Sequence, residues 1–461
     1  MNSSNASFTP KGFISPDHER EYTEFITEHP DIEAVEFLIV DPNGLVRGKW
    51  GPADSLKKAF QEGVAFPMSL HGLDVWGREV VETGLHIEDG DRDGFNRATR
   101  GSLCLVPWTK RKTAQVLLQT FTPEGEVFAC DSRQVLKAQI AEINKRGLFP
   151  VAAFELEFYL LEKAGRDESD MRPMGVSEGP DRLRMYGMDD LEEHAKFFNL
   201  VRESADVQGL PIDTIIKEAA PGQFEVNLKH RNDALRASDD VIMLKRIIHG
   251  CARACNMRAT FMAKPFIDYA GNGMHVHCSV LDAKGNNIFS GDEGRQKLEF
   301  AIAGLLKTMP EALLIFINSW NGFRRITPGS YAPTQAVWAE NNRSVALRVP
   351  ASNSANMRFE HRISGADANP YLVMAALLQA MMEGMDMEEA PPPPIKGNAY
   401  EQSNAPQLPD DMDNALQLAM KSEFLKRALG KELAKVYCDL KRAEIHAFWQ
   451  EITPLEKTTY R

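Results

Sequence analysis

Ala152-Ala153-Phe154-Glu155-Leu156-Glu157-Phe158-Tyr159-Leu160-Leu161 is the stretch that decides the fold. It is aromatic and aliphatic, without Gly or Pro, and so predicts a β-strand. Side chains alternate across a strand, which puts Glu155 and Glu157 on one face and Phe154, Leu156 and Phe158 on the other. Two neighbouring carboxylates repel each other and lose hydration unless a cation lies between them. Two readings follow: an exposed face with two solvated acids, or a divalent-metal site. More distant residues decide between them.

Just upstream, a helix starting at Asp131 or Ser132 carries Val135, Leu136, Ile140 and Ile143 at helical spacing and closes at Gly147. Downstream, residues 163–190 are polar and read as an excursion loop, followed by a helix over 191–208. Residues 215–218 and 224–228 then form a hairpin with a carboxylate on each arm, Glu218 and Glu225. A helix over 239–257 and a short apolar stretch over 259–263 precede Met274-His275-Val276-His277-Cys278-Ser279-Val280-Leu281, a strand with His275, His277 and Ser279 on one face. A helix over 296–317 and an Arg-rich stretch over 323–350 lead to Arg358-Phe359-Glu360-His361-Arg362, which alternates again. Asn369-Pro370 opens an apolar helix to about 385. Pro391–Pro394 makes a stiff connector, and helices are expected over 412–429 and 431–451.

The first 130 residues read differently. A helix over 17–29, capped by Ser15, precedes a strand, the turn Asp41-Pro42-Asn43-Gly44 and a second strand ending at Trp50. A helix over 55–62 follows. Residues 66–100 hold Gly, Asp and Arg without a sustained period and are expected to form a long loop. Strands are expected around 102–106 and 114–120. A domain boundary near residue 130 divides the chain into a small β-rich domain, 1–130, and a larger one, 131–461.

The net charge of −12 over 461 residues argues against non-specific nucleic-acid binding, and an anionic substrate would need a local cluster of Arg or Lys. The start, Met1 to Pro10, lacks the apolar core of a signal peptide, and the longest apolar stretch, 372–382, is short and contains Gln379. A cytoplasmic protein without membrane association is expected. No two of the six cysteines form a Cys-x-x-Cys pair. Cys251 and Cys255, with His249 nearby, leave two readings: a zinc site, or small buried residues on a helix.

The polar strand faces together supply Glu155, Glu157, Glu218, Glu225, His275 and Glu360, a donor set that suits two or more Mg²⁺ or Mn²⁺ ions. Arg324, Arg325, Arg343, Arg348, Arg358 and Arg362 offer clamps for phosphate and carboxylate, or surface ion pairs. Metals beside arginines are the equipment of phosphoryl transfer. No Walker A sequence and no Gly-rich fingerprint after a strand accompany them.

Phe154-Glu155-Leu156-Glu157-Phe158, Gly222-Gln223-Phe224-Glu225, Gly273-Met274-His275-Val276-His277, Arg325-Ile326-Thr327-Pro328-Gly329, Asn342-Arg343-Ser344 and Asn369-Pro370-Tyr371-Leu372 resemble the glutamine synthetase family, in the same order. The resemblance covers nearly the whole chain from about residue 30. It implies an α+β fold: an N-terminal β-grasp domain, then a catalytic domain with a curved antiparallel sheet flanked by helices. By match to the family motifs, Glu157, Glu218 and Glu225 would hold one metal, and Glu155, His275 and Glu360 the other. Arg325, Arg362 and the backbone at Gly271 would bind glutamate. His277, Ser279, Arg348 and Arg358 would face ATP, and Arg343 would meet the phosphoryl group. The family implies a homo-oligomer of hexameric rings, each site completed by the neighbour's β-grasp domain.

Departures from the family pattern bear on the amine. Glutamine synthetases carry Asp-Gly-Ser-Ser in the loop ending at the tryptophan that matches Trp76; here Ser69 replaces the Asp and Gly72 the second Ser. Where the family has Pro-Gly-x-Glu, this chain reads Pro328-Gly329-Ser330-Tyr331. Both acids of the ammonium pocket are missing while the metal and phosphoryl residues remain. The resemblance therefore implies an ATP-dependent ligase that makes a γ-glutamyl amide through γ-glutamyl phosphate. Arg146-Gly147-Leu148-Phe149-Pro150, residues 259–265 and residues 365–370 are similar to the polyamine-using branch of the family, which points to putrescine or another polyamine. Ammonium, a monoamine (ethanolamine, methylamine or an aromatic amine) and a non-catalytic ring-forming role stay open. Glu218 is the expected base for the amine, and Asp74 or Glu79 of a neighbouring subunit the expected partner of a distal ammonium. Tyr400 falls near a tyrosine that some bacterial members adenylylate, or is an ordinary linker residue. The ending over 454–461 departs from the family and leaves hexamer against dodecamer open.

Overall fold

The structure is a computed structural model that describes residues 16–163, 171–175, 185–401 and 405–460. Ser15, the first ten residues and most of the 163–190 excursion lie outside the described residues. The N-terminal part runs α1 Pro16–Glu28, β1 Ala34–Val40, β2 Val46–Pro52, α2 Ser55–Gln61, β3 Val64–Pro67, β4 Asp93–Ala98, β5 Cys104–Leu105 and β6 Thr113–Phe121. Its strands make one sheet in the order β2-β1-β6-β4-β3, with β5 also on β6 and only the β1–β6 pair parallel. One sheet face buries Val35, Phe37, Ile39, Val116 and Leu118 with Leu56 and Phe60 of α2. The other face delivers Leu38, Val40 and Leu117 into the main core.

The long loop expected over 66–100 is a correction. It holds the end of β3, all of β4 and three short 3-10 turns. The inward positions of β4 are Gly94, Asn96 and Ala98, so no apolar alternation marks the strand. Asn96 is buried and satisfied instead by hydrogen bonds: its amide donates to the Val64 carbonyl (3.1 Å), and its oxygen accepts from Thr120 Oγ1 (2.7 Å).

The rest comprises α3 Ser132–Lys145, β7 Leu148–Leu161, α4 Met188–Glu193, α5 Ala195–Val207, β8 Ile212–Lys217, β9 Gln223–Leu228, α6 Ala234–Ala254, β10 Arg258–Thr260, β11 Met274–Asp282 and α7 Gly291–Phe316. It continues through β12 Trp338–Glu340, β13 Leu347–Val349, β14 Phe359–His361, α8 Pro370–Met387, α9 Met412–Lys421, α10 Glu423–Leu429, α11 Lys431–Trp449 and α12 Pro454–Thr459. The helix expected over 412–429 is two, because Ser422 leaves helical geometry and caps α10, its Oγ accepting from Leu425 N (2.9 Å). No helix of the described residues is long and apolar enough to cross a membrane.

The larger sheet has the order β12-β13-β14-β11-β7-β9-β8, with β10 also on β7. All its pairs are antiparallel except β12–β13. β7 is its spine, bonded to β9, β10 and β11. Phe154, Leu156 and Phe158 are fully buried under α3 and α6, so the alternation read from the sequence assigns the opposite face to the acids.

The two parts are tied together at the Asp41–Gly44 turn. Asn369 caps α8 by accepting from Tyr371 N (3.0 Å), and its amide donates to the Asp41 carbonyl (3.1 Å) and to Ser132 Oγ (3.2 Å). Lys441 of α11, with no exposed surface, donates to Asn43 Oδ1 (2.9 Å) and to Glu444 (3.1 Å). Glu444 in turn accepts from Trp320 N (3.1 Å).

Candidate active site

Strand register brings the acids together. Glu155 lies opposite His275 on β11, and Glu157 lies opposite Glu225 on β9. Glu218 follows directly on β8. Glu360 of β14 lies opposite His277 and Arg348. Ligand atoms of Glu157, Glu218 and Glu225 all fall within 4.8 Å of one another. So do those of Glu155, Glu225 and His275, and of Glu155, His277 and Glu360. The trio expected for the first metal is thus brought together. Glu155, His275 and Glu360 do not make a group of their own: Glu155 is shared between two groups, and Glu225 links it to the first metal's acids. His275 Nδ1 is 3.1 Å from Glu155 but 3.8 Å from Glu360, whose oxygens are taken by Arg348 (2.8 Å) and Arg362.

The electrostatics follow from this crowding. Burial raises the Glu157 carboxyl, with Glu218 adding to it, to about 7. Glu218 is raised by burial, and Glu225 is raised well above its ordinary value by burial and then by Glu155 and Glu157. Arg325 and Arg362 near Glu157, and Lys217 and Arg343 near Glu218, do not offset this, so the donor set fits divalent cations. Glu360 shows the opposite: against its burial, Arg362 and then His275 and His277 hold it down at about 2. Burial, with Arg362, lowers His275 and so favours the neutral imidazole, the form that ligates metals. Arg358 Nε donates to His277 Nδ1 (3.2 Å), which leaves His277 Nε2 as the donor to Glu155 (2.9 Å).

A cavity of about 370 Å³ opens over these groups. Glu155, Glu157, Glu218, Glu225, His275, Gly271, Arg325, Arg343, Arg348, Arg362 and Tyr331 all line it. Gly271 leaves room for Arg325, since a Cβ there would lie 2.7 Å from the arginine's Cγ. Arg325 is buried and donates to the Ile363 carbonyl (2.7 Å). The Nε atoms of Arg348 and Arg362 and the Oδ1 of Asn227 are buried without a protein partner among the described residues. Such orphans in a cavity wall suit a polar ligand. His277 and Arg358 flank the cluster at Glu155, and Ser279, two residues further along β11, is outside the cavity wall.

Other expectations fare differently. Ser69 is buried in a 3-10 turn of the N-terminal part, away from this cavity. Gly72 opens no space for an amine, because a Cβ there would meet Thr83 Oγ1 at 2.8 Å and His86 Nε2 at 3.0 Å. Asp74 is not a free acid: it is buried, ion-paired to Arg78 Nε (2.7 Å), and accepts from the Trp76 and Arg78 amides. Glu79 is exposed beside Arg442 and His446 of α11. Cys251 is buried against Ser204 Oγ (3.6 Å), and the half-buried His249 packs edge-on against the Phe261 ring; no metal group among the described residues includes them. Tyr400 donates its hydroxyl to the Ala332 carbonyl (3.1 Å). The sequence reading missed Gln223 and Asn227, which share a strand face with Glu225, and Met185 and Tyr186, which carry no local signal.

A glutamine synthetase catalytic-domain model matches residues 129–460, and the chain belongs to the glutamine synthetase family. It is 38% identical over 442 residues to the gamma-glutamylputrescine synthetase PuuA of Escherichia coli (strain K12), covering 95% of this chain and 93% of that one. It is 32% identical to the glutamate–isopropylamine ligase of a Pseudomonas species, with 92% and 93% coverage. A solved structure described as a GmaS/ADP complex superposes with a TM-score of 0.83 at 25% identity, covering 95% of this chain and 98% of that one.

Proposed function

We propose that this chain is an ATP-dependent ligase that joins the γ-carboxylate of L-glutamate to a primary amine, with putrescine or another polyamine preferred. One observation carries the reading. Glu155, Glu157, Glu218 and Glu225 line one cavity with Arg325, Arg343, Arg348 and Arg362, and at position 331, where ammonium-using members have a glutamate, that cavity has a tyrosine. The relatives named for putrescine and isopropylamine support an organic amine.

In this proposal Arg325, Arg362 and the Gly271 backbone hold glutamate, and Arg348, Arg358, His277 and Ser279 face ATP. Glu157, Glu218 and Glu225, with Glu155, His275 and Glu360, hold two or more Mg²⁺ or Mn²⁺ ions, which when bound neutralise charge on the phosphates. A γ-carboxylate oxygen attacks the ATP γ-phosphorus and ADP leaves, with Arg343 meeting the charge that develops. The amine nitrogen then attacks the acyl carbon, phosphate leaves, and Glu218 takes the proton. Glu218 lines the same cavity as the glutamate-holding Arg325 and Arg362, which puts a carboxylate within the site where the amine must lose its proton.

The N-terminal sheet is proposed to be a β-grasp domain spanning 1–130, with the catalytic domain over 131–461. In a cytoplasmic homo-oligomer of hexameric rings, single or stacked as a dodecamer, the neighbour's Ser69 loop would complete the site. The test is ADP release with glutamate, ATP and an amine panel of ammonium, methylamine, ethanolamine, putrescine, spermidine and an aromatic amine. Putrescine or spermidine is expected to give the highest kcat/KM. Ammonium as the best substrate would make the protein a glutamine synthetase and overturn the reading.

A further inference from the structure

Two tyrosines at the cavity rim sit in backbone conformations that bulky residues avoid. Tyr186 has φ +63° and Tyr331 has φ +58°. Among the described residues six non-glycine positions have positive φ; four are Asp91, Asn256, Asn341 and Glu388, and the other two are these tyrosines. Asn and Asp tolerate this region, whereas an aromatic residue there persists only where its surroundings enforce it, a pattern that gathers at ligand sites.

The enforcing contacts are visible. The Tyr186 amide donates to the Lys217 carbonyl (3.0 Å), and buried Lys217 donates to the carbonyls of Glu218 (2.6 Å) and Ala220 (2.7 Å). Tyr186 is thereby tied to the strand end that carries Glu218. On the other segment, Ser330 Oγ donates to the Thr327 carbonyl (2.6 Å) and accepts from Ala332 N (3.2 Å), and the Tyr400 hydroxyl holds the Ala332 carbonyl. The backbone is fixed on both sides of Tyr331. Yet the two side chains are not packed away: Tyr186 is 59% and Tyr331 68% exposed, and both line the cavity with Met185 and Ile216.

We propose that Tyr186 and Tyr331, with Met185 and Ile216, form the subsite for the carbon chain and distal ammonium of a diamine or polyamine. The proposal rests on the ligase reading above and names its amine-recognising residues. Methylenes pack on Met185 and Ile216, and the ring faces attract the ammonium that does not react. Glu218, in the same cavity, receives the proton of the end that does.

The test compares wild type with Tyr186→Leu, Tyr331→Leu, Tyr186→Phe and Tyr331→Phe, using putrescine and n-butylamine, which share a chain length and differ in the distal cation. Each Leu variant is expected to raise the KM for putrescine roughly 3- to 30-fold and to move that for n-butylamine less. The KM for ATP should change less than about 2-fold, and the Phe variants, which keep the ring face, should behave as wild type. An unchanged putrescine KM in the Leu variants, or an equal rise for both amines, overturns the subsite while leaving the ligase intact. If wild type shows no ADP release with any amine, the ligase reading falls and the subsite with it.

Discussion

Glu157 shares in the electrostatic cost of gathering the acids. Its carboxyl is raised to about 7, above the ordinary carboxylate value, by burial first and Glu218 second. The folded, metal-free protein therefore holds a proton there that the unfolded chain has already lost, from about pH 4.5 up to about 7. Across that window this group subtracts stability as pH rises. Glu157→Gln removes the penalty and leaves the histidines as they are. With a chelator present, the variant should match wild type near pH 5 and exceed it near pH 8 by roughly 1–3 kcal/mol in urea melts. Saturating Mn²⁺ should reverse the order by stabilising wild type more. A pH-independent difference would count against the arrangement described. At this scale the sequence was most legible, because strand alternation alone put Glu155 with Glu157 and His275 with His277. Gln223 and Asn227 were within reach of the same rule. Tyr186 was not, since its place depends on one backbone angle and a hydrogen bond to Lys217.

Elements are legible when their inward positions are apolar. β7 met that condition and β4, with Gly94, Asn96 and Ala98 inside, did not. Helix starts were legible through their caps, as Asp131 at α3 and Asn369 at α8 show. The hinge at Ser422 was not, because the apolar period runs through it. Asn369 does more than a cap requires, since its amide also satisfies the Asp41 and Pro42 carbonyls. Asn369→Ala should therefore cost about 2–4 kcal/mol, the sum of a lost cap and unsatisfied buried carbonyls. Asn369→Asp, which keeps the cap acceptor and loses the amide donors, should fall between. Denaturant midpoints of the three proteins measure this, and an Asp variant as damaged as the Ala variant would remove the cap from the account.

For the molecule as a whole, the join between its two parts lay beyond sequence reading, because Asn318 and Lys441, which bond Asn43 across it, are 275 and 398 residues away. Lys441 is the fixed point of that join, wholly buried and bonded to Asn43 and Glu444. Lys441→Met should cost about 3–5 kcal/mol by leaving Glu444 buried and charged with only the Trp320 amide as partner, and adding Glu444→Gln should recover part of the loss. Additive losses in the double variant would contradict the pairing. The spine strand has a different consequence. Glu155 and Glu157 ride on β7, which is hydrogen-bonded to three other strands, while Tyr186 and Tyr331 ride on turns outside any strand. In the proposed ligase, phosphoryl chemistry and amine choice would thus reside in parts that differ in how firmly the sheet holds them. A lineage, or an engineer, is free to exchange the rim for a new nucleophile many times over without rebuilding the furnace beneath it.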